Sequence, residues 1–116
     1  MKISFDFDDT LSEKPFQKLA EILLKGGAEI YVVTTRLEAW NEEVWEATDG
    51  LGIERKNVHF TNGALKKETL QNLQIDLHFD DAPMEINATN QANIPACLVQ
   101  FDKLKLLRFL QQEENL

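Results

Sequence analysis

Apolar positions along this chain follow two rhythms that alternate from one end to the other. Short runs rich in β-branched or aromatic residues, Ile3–Phe7, Ile30–Val33, Val58–Phe60, Leu77–Phe79 and Ala96–Val99, read as buried strands. Between them the spacing becomes helical. Phe16, Leu19, Ala20, Leu23 and Leu24 follow an i, i+3, i+4, i+7, i+8 pattern that Gly26-Gly27 stops. A second helix is expected over Leu37–Thr48, with Trp40, Val44 and Ala47 on one face, and Leu70 and Leu73 mark a third. The stretch Met84–Gln91 carries a weaker fourth, and Leu104, Leu107 and Leu110 mark a terminal fifth. This (βα)5 order predicts an α/β fold: a parallel sheet of about five strands, covered by helices on both faces. In such sheets ligands bind beyond the carboxyl ends of the strands, near the point where strand order reverses.

Length adds that one core suffices. The 116 residues, 43% apolar and 28% charged, form a single domain over 1–116 with no repeat, linker or low-complexity stretch. The formal net charge of −8 is spread along the chain, which works against long polyanions and anionic membranes and so disfavours nucleic acid as a partner. A single cysteine, Cys97, allows no intrachain disulfide and reads as a small core residue. The first acidic residue comes too early for a secretory signal, and no apolar run is long enough to span a bilayer, so no membrane association is expected and a cytoplasmic location is.

The polar residues at strand ends carry the chemistry. The first strand runs into Asp6-Phe7-Asp8-Asp9-Thr10-Leu11, and three carboxylates this close repel one another unless a cation sits between them. In extended backbone Asp6 and Asp8 would share a side while Phe7 enters the core, which suits a nucleophile with a proton carrier beside it. The second strand ends in Thr34-Thr35-Arg36, where a hydroxyl could donate to a phosphoryl oxygen, although Thr is also a common strand and cap residue. After the third strand, Thr61-Asn62-Gly63 makes a turn and Lys66-Lys67 opens a helix. Either lysine could neutralise a nucleophile and a phosphoryl group; Lys66, four and seven residues before Leu70 and Leu73, is favoured by helical phase. The fourth strand ends in Phe79-Asp80-Asp81, a natural place for a Mg2+ ligand with a supporting carboxylate.

In this order the motifs resemble those of the haloacid dehalogenase superfamily, whose members are mostly Mg2+-dependent phosphatases on a Rossmann-like three-layer core. Asp6-x-Asp8-x-Thr10 looks like motif I, Thr34 like motif II, Lys66 or Lys67 like motif III and Asp80-Asp81 like motif IV. The resemblance implies that Asp6 is the nucleophile, forming an aspartyl-phosphate, and that Asp8 is general acid and then general base. It implies that Thr34, with Thr35 beside it, and the lysine bind the phosphoryl group. Asp6, the backbone carbonyl of Asp8, and Asp80 would hold Mg2+, with Asp81 in support.

The chain departs from the family pattern at Asp9, where Gly is frequent. It also lacks room for a cap: only about 20 residues separate motif I from strand two, and about 25 separate Thr34 from strand three. An uncapped member would act on a phosphorylated substrate presented by something large, or use a neighbouring copy in a homo-oligomer as its lid. Of Trp40 and Trp45 one is expected in the core and the other exposed at the mouth or at an oligomer contact. Arg36 is expected at the substrate or in an ion pair with Glu38 or Asp49, and His59 and His78 are given no role. Two other readings remain: a response-regulator receiver, whose phosphorylated Asp would instead end the third strand, and a catalytically idle binding or assembly module.

Overall fold

The computed structural model describes residues 1–99 together with Arg108 and Gln111. Five parallel strands, β1 (Lys2–Phe5), β2 (Glu29–Thr34), β3 (Val58–Phe60), β4 (Leu77–Asp80) and β5 (Ala96–Leu98), form one sheet in the order β3-β2-β1-β4-β5. Four helices connect or follow them: α1 (Lys14–Lys25), α2 (Glu42–Leu51), α3 (Lys67–Leu73) and α4 (Pro83–Gln91). No cap interrupts the sequence of strands and helices, and no described helix is long and apolar enough to cross a membrane.

Alternation along the strands builds the two interiors. Ile3, Phe5, Ile30 and Val32 point to one face, where they pack with Ala20 of α1 and Val44 of α2. Tyr31 and Val33 point to the other and pack with Leu70 of α3 and with Ile75 and Ile94. A sheet buried on both faces needs continuous apolar strands, and β2, with Ile30 to Thr34 all buried, is the clearest case. The expected three-layer architecture is thus present.

Several boundaries differ from expectation. β1 ends at Phe5 instead of Phe7, because the chain leaves the sheet at Asp6 to make a wide turn over Phe7–Leu11. α2 begins at Glu42, so Trp40 lies before the helix and is 64% exposed instead of sharing a face with Val44. Trp45 takes the packed role, its ring meeting Phe60 edge to face with centroids 5.5 Å apart. Cys97 is exposed, not core, because β5 is an edge strand. The terminal helix expected at Leu104, Leu107 and Leu110 falls on positions outside the described residues.

Leu70 is fully buried and stands one turn after Lys66, whose carbonyl accepts the Leu70 N–H at 2.9 Å. Leu70→Ala should cost about 2–5 kcal/mol through the cavity it leaves. Urea unfolding would measure it; a loss under about 1 kcal/mol would mean that α3 is not anchored here.

Candidate active site

Strand order reverses between β1 and β4: from β1 the chain builds outward through β2 and β3, then returns to β1's other side with β4 and β5. The carboxyl ends of β1 and β4 therefore lie side by side with their continuations diverging, which is where a crevice must open. Asp6 follows the first of these ends and Asp80 closes the second. The Asp6 N–H donates to the Phe79 carbonyl at 2.8 Å, extending the ladder by one bond and fixing where the Asp6 side chain leaves the backbone.

The turn after Asp6 is held by i→i+5 bonds: Leu11 N–H to the Asp6 carbonyl at 3.1 Å and Ser12 N–H to the Phe7 carbonyl at 2.8 Å. Asp9 sits inside it at φ 58°, ψ 14°, the left-handed region. That conformation explains why a glycine would suit this position; Asp is among the few other residues that enter it readily. Phe7 and Leu11 are buried, pinning the turn from below. Thr10 is buried too, with its Oγ1 3.4 Å from Asp6 Oδ2.

Lys66 reaches the crevice from the residue before α3 and is only 2% exposed. Its Nζ lies 2.6 Å from Asp6 Oδ1 and 2.6 Å from Asp80 Oδ2. Asp81 completes a group in which one carboxylate oxygen from each of Asp6, Asp80 and Asp81 lies within 4.8 Å of the others. Were all three ionised, one lysine would leave a surplus of negative charge in a poorly hydrated place; without a cation that surplus is relieved by a proton on Asp6, and the all-oxygen donor set fits a divalent cation that would take the proton's place.

The ionisation of these groups follows from the same crowding. Burial pushes the Asp6 carboxyl up to about 8, against the pull of Lys66, and repulsion from Asp80 and the contact with Asp81 add to the rise. Burial alone would depress the Lys66 ammonium, but Asp6 and Asp80 together outweigh it and hold it above the usual lysine range. For Asp80, burial is likewise overcome, here by hydrogen bonds from His78 and Lys66, and the carboxyl is held below its ordinary value.

Among the other expected residues, Thr34 is buried at the end of β2, and its Oγ1 accepts the Arg36 N–H at 3.2 Å. Thr35 is exposed, and what it contributes is its carbonyl, which accepts the Gly63 N–H at 2.8 Å and ties the second loop to the third. Lys67 is exposed at the start of α3 and does not join the group; helical phase, which put Lys66 on Leu70's face, turns the next residue away. The third loop turns through Asn62 and Gly63 at positive φ, and Asn62 Oδ1 accepts the Glu38 N–H at 3.0 Å.

Asp8 departs from expectation. Its carboxylate stands outside the three-carboxylate group and is gripped by Arg36, with Nε to Oδ2 at 2.9 Å and Nη2 to Oδ1 at 2.7 Å. Asp6 (φ −63°, ψ 157°) and Asp8 (φ −64°, ψ 129°) each keep extended dihedrals, but the wide turn that begins at Phe7 between them interrupts the strand, so the two-residue alternation does not carry across. Arg36 is in turn held by Glu43 at 3.3 Å, by the Trp40 carbonyl at 3.2 Å and by the Phe7 ring, whose centroid is 5.1 Å from Cζ. Its partners are therefore Asp8 and Glu43, while Asp49 pairs with Arg55.

Three residues were assigned no part in the site from the sequence; of these His78 was read there only as a strand histidine without a role. Glu85, buried in the first turn of α4, accepts the Lys66 backbone N–H at 3.1 Å and so sets the lysine's starting point. His78 and Ser4 are fully buried on neighbouring strands and connect to Asp80. The only sequence signal for the latter two is polarity inside otherwise apolar strands, two residues before Asp80 and Asp6 respectively.

Asp6 makes stability depend on pH with a defined sign. The native state keeps a proton on Asp6 up to about pH 8, whereas the unfolded chain releases it near pH 4. Its contribution is whole below about pH 4 and is lost as pH rises to about 8, at up to ~1.4 kcal/mol per pH unit. Asp6→Asn does not titrate. In EDTA, the difference in Tm between this variant and the wild type should move in the variant's favour from pH 5 to pH 8, beyond any constant offset from the altered Lys66 contact. A difference independent of pH would show that Asp6 ionises as freely when folded as when unfolded.

No family model matches the chain, and no curated protein matches its sequence. Among solved structures, a chain from the structure of the Pnkp1/Rnl/Hen1 RNA repair complex superposes with a TM-score of 0.66 at 15% identity, covering 88% of this chain and 43% of that one. The likeness is one of fold, and this chain spans less than half the length of that one.

Proposed function

We propose that the chain is a small, uncapped haloacid dehalogenase-type phosphohydrolase that uses Mg2+ and forms an aspartyl-phosphate on Asp6. The observation that carries this reading is the buried Asp6–Lys66–Asp80 bridge at the strand-order reversal, with Asp81 beside it. Replacing a buried ion pair by apolar residues is often neutral or stabilising, so stability alone gives no reason to bury this one. The order in which Asp6, Thr34, Lys66 and Asp80 follow strands β1 to β4 also agrees with the motif order of that superfamily.

Asp6, Asp80 and Asp81 would hold the ion, with the Asp8 carbonyl as the further ligand that the resemblance implies. Bound Mg2+ would neutralise phosphoryl charge and fix the line of attack. Asp6, which would give up its proton to solvent when the ion is bound, attacks phosphorus through a carboxylate oxygen while the leaving-group oxygen departs with a proton from Asp8. Asp8 then takes a proton from water, which attacks the same phosphorus and returns Asp6 as a carboxylate with release of phosphate. Lys66 and the Thr34 hydroxyl stabilise the equatorial oxygens through both displacements. Arg36 sets the direction of the Asp8 carboxylate.

The substrate would be a phosphomonoester carried on a body larger than the crevice. In support, no cap is present among the described residues, and the segments that follow three strands at their carboxyl ends carry exposed apolar residues: Leu37 and Trp40 after β2, Leu65 after β3 and Met84 in the first turn of α4. Such residues can exclude water only when something apolar covers them.

Phosphate release from a panel of phosphoesters, including an aryl phosphate, a nucleotide and a phosphopeptide, tests the reading. Turnover should require Mg2+ and fall by at least about 10³-fold in Asp6→Asn and about 10²-fold or more in Asp8→Asn, as expected when a nucleophile or a proton carrier is removed. Turnover that survives Asp6→Asn would end the covalent mechanism. A folded protein whose Tm is unmoved by Mg2+ would favour the idle-module reading, because a ligand that binds only the native state must stabilise it.

A further inference from the structure

Ser4 and His78 face each other in register on β1 and β4, and both side chains are fully buried. Ser4 Oγ lies 2.6 Å from His78 Nδ1, and His78 Nε2 lies 2.8 Å from Asp80 Oδ2. An ionised carboxylate only accepts hydrogen bonds, so Nε2 carries hydrogen; on a neutral ring Nδ1 is then an acceptor, and the Ser4 hydroxyl must be the donor. The chain of donation runs in one direction, from Ser4 through His78 to Asp80.

Its end point matters for the carboxylate group. Asp80 Oδ2 accepts from both His78 and Lys66, which occupies both of its lone pairs. Oδ1 accepts only the Ala82 N–H, at 3.1 Å, among the described contacts. A cation entering between Asp6, Asp80 and Asp81 is therefore left Oδ1 of Asp80. Apolar residues of similar size would fill the Ser4 and His78 positions without two buried polar groups to satisfy.

We propose that Ser4 and His78 form a positioning relay that fixes the rotation of the Asp80 carboxylate and so presents Oδ1, not Oδ2, to a divalent cation. The relay rests on the metal-dependent reading of the site. His78 is a positioning residue: it touches the ligand's carboxylate and neither the ion nor the substrate. Loss of hydrogen-bonded support behind a metal ligand typically weakens metal binding about 10–100-fold.

Mg2+ affinity of the full chain, measured by calorimetry and by the Mg2+-dependent shift in Tm, separates this role from simple packing. His78→Gln can place an amide N–H where Nε2–H stood and should bind Mg2+ within about threefold of wild type. His78→Asn reaches Ser4 but not Asp80, and should bind about 10–100-fold more weakly. A packing role would instead lower the Tm in EDTA for either variant and leave Mg2+ affinity unchanged. Nitrogen-15 NMR of the wild-type imidazole, which needs no variant to fold, should find the hydrogen on Nε2, and Ser4→Ala should relax that preference. Hydrogen found on Nδ1 alone, or His78→Asn binding Mg2+ like wild type, would overturn the relay even if Mg2+-dependent phosphate release is intact. Failure of the wild type to bind Mg2+ would remove the phosphohydrolase reading and the relay together.

Discussion

A lysine ammonium held between two buried carboxylates is the interaction on which the rest of this molecule turns. Lys66 cannot leave without abandoning Asp6 and Asp80 in a place water hardly reaches, and removing one partner of such a group typically costs about 3–5 kcal/mol. It also cannot supply enough charge for the third carboxylate, Asp81. The resulting tension is visible in Asp6, whose proton is retained to about pH 8. A group of carboxylates that its own residues satisfy only in part could hold a metal ion, and its all-oxygen donors are of the kind that hard cations take.

Topology makes the bridge possible at low cost in chain length. Because β1 and β4 are neighbours in the sheet but 70 or so residues apart in sequence, Asp6 and Asp80 meet without any loop between them. The third member stands just before α3, placed by the burial of Leu70 one turn on and by Glu85 of α4, whose carboxylate accepts the Lys66 backbone N–H. Each group is thus oriented by packed, mutually bonded elements, β1 and β4 through their shared ladder and Lys66 through Leu70 and Glu85. Such support by rigid elements holds catalytic geometry better than loops alone can.

The strands were legible because a sheet buried on both faces imposes unbroken apolar runs, and the reversal of strand order then placed the polar strand ends without further information. Lys66 could be chosen over Lys67 because helical phase links it to Leu70. Asp8 was misplaced for a local reason: period-two reasoning holds only while the strand runs uninterrupted, and the chain abandons β1 one residue after Phe5. Trp40 was misplaced because the loop after Thr34 runs on to Asn41 before α2 begins. Ser4 and His78 marked themselves only as polar residues inside apolar strands, and Glu85 not at all, since the contacts that pair Ser4 with His78 and Glu85 with Lys66 span 74 and 19 positions and no local rule can anticipate them. Fold is encoded in periodicity; the support of a site is encoded in register.

On the mechanism proposed above, the separation of Asp8 from the buried group would divide the labour between the two motif carboxylates. A carboxylate that attacks phosphorus gains from desolvation, and Asp6 is almost fully buried; one that exchanges protons with a leaving group and with water must remain in reach of both, and the Asp8 side chain is 54% exposed. Two carboxylates two residues apart therefore experience opposite environments, as the proposed pairing of a nucleophile with a proton carrier would require. The bidentate grip of Arg36 supplies what exposure would otherwise take away, a fixed direction for the carboxylate, and Arg36 is itself braced by Phe7, Glu43 and the Trp40 carbonyl. Phe7, packed beneath the guanidinium while its neighbours Asp6 and Asp8 point to different places, joins the two environments. The wide turn that spoiled the period-two expectation is what lets one short segment serve both.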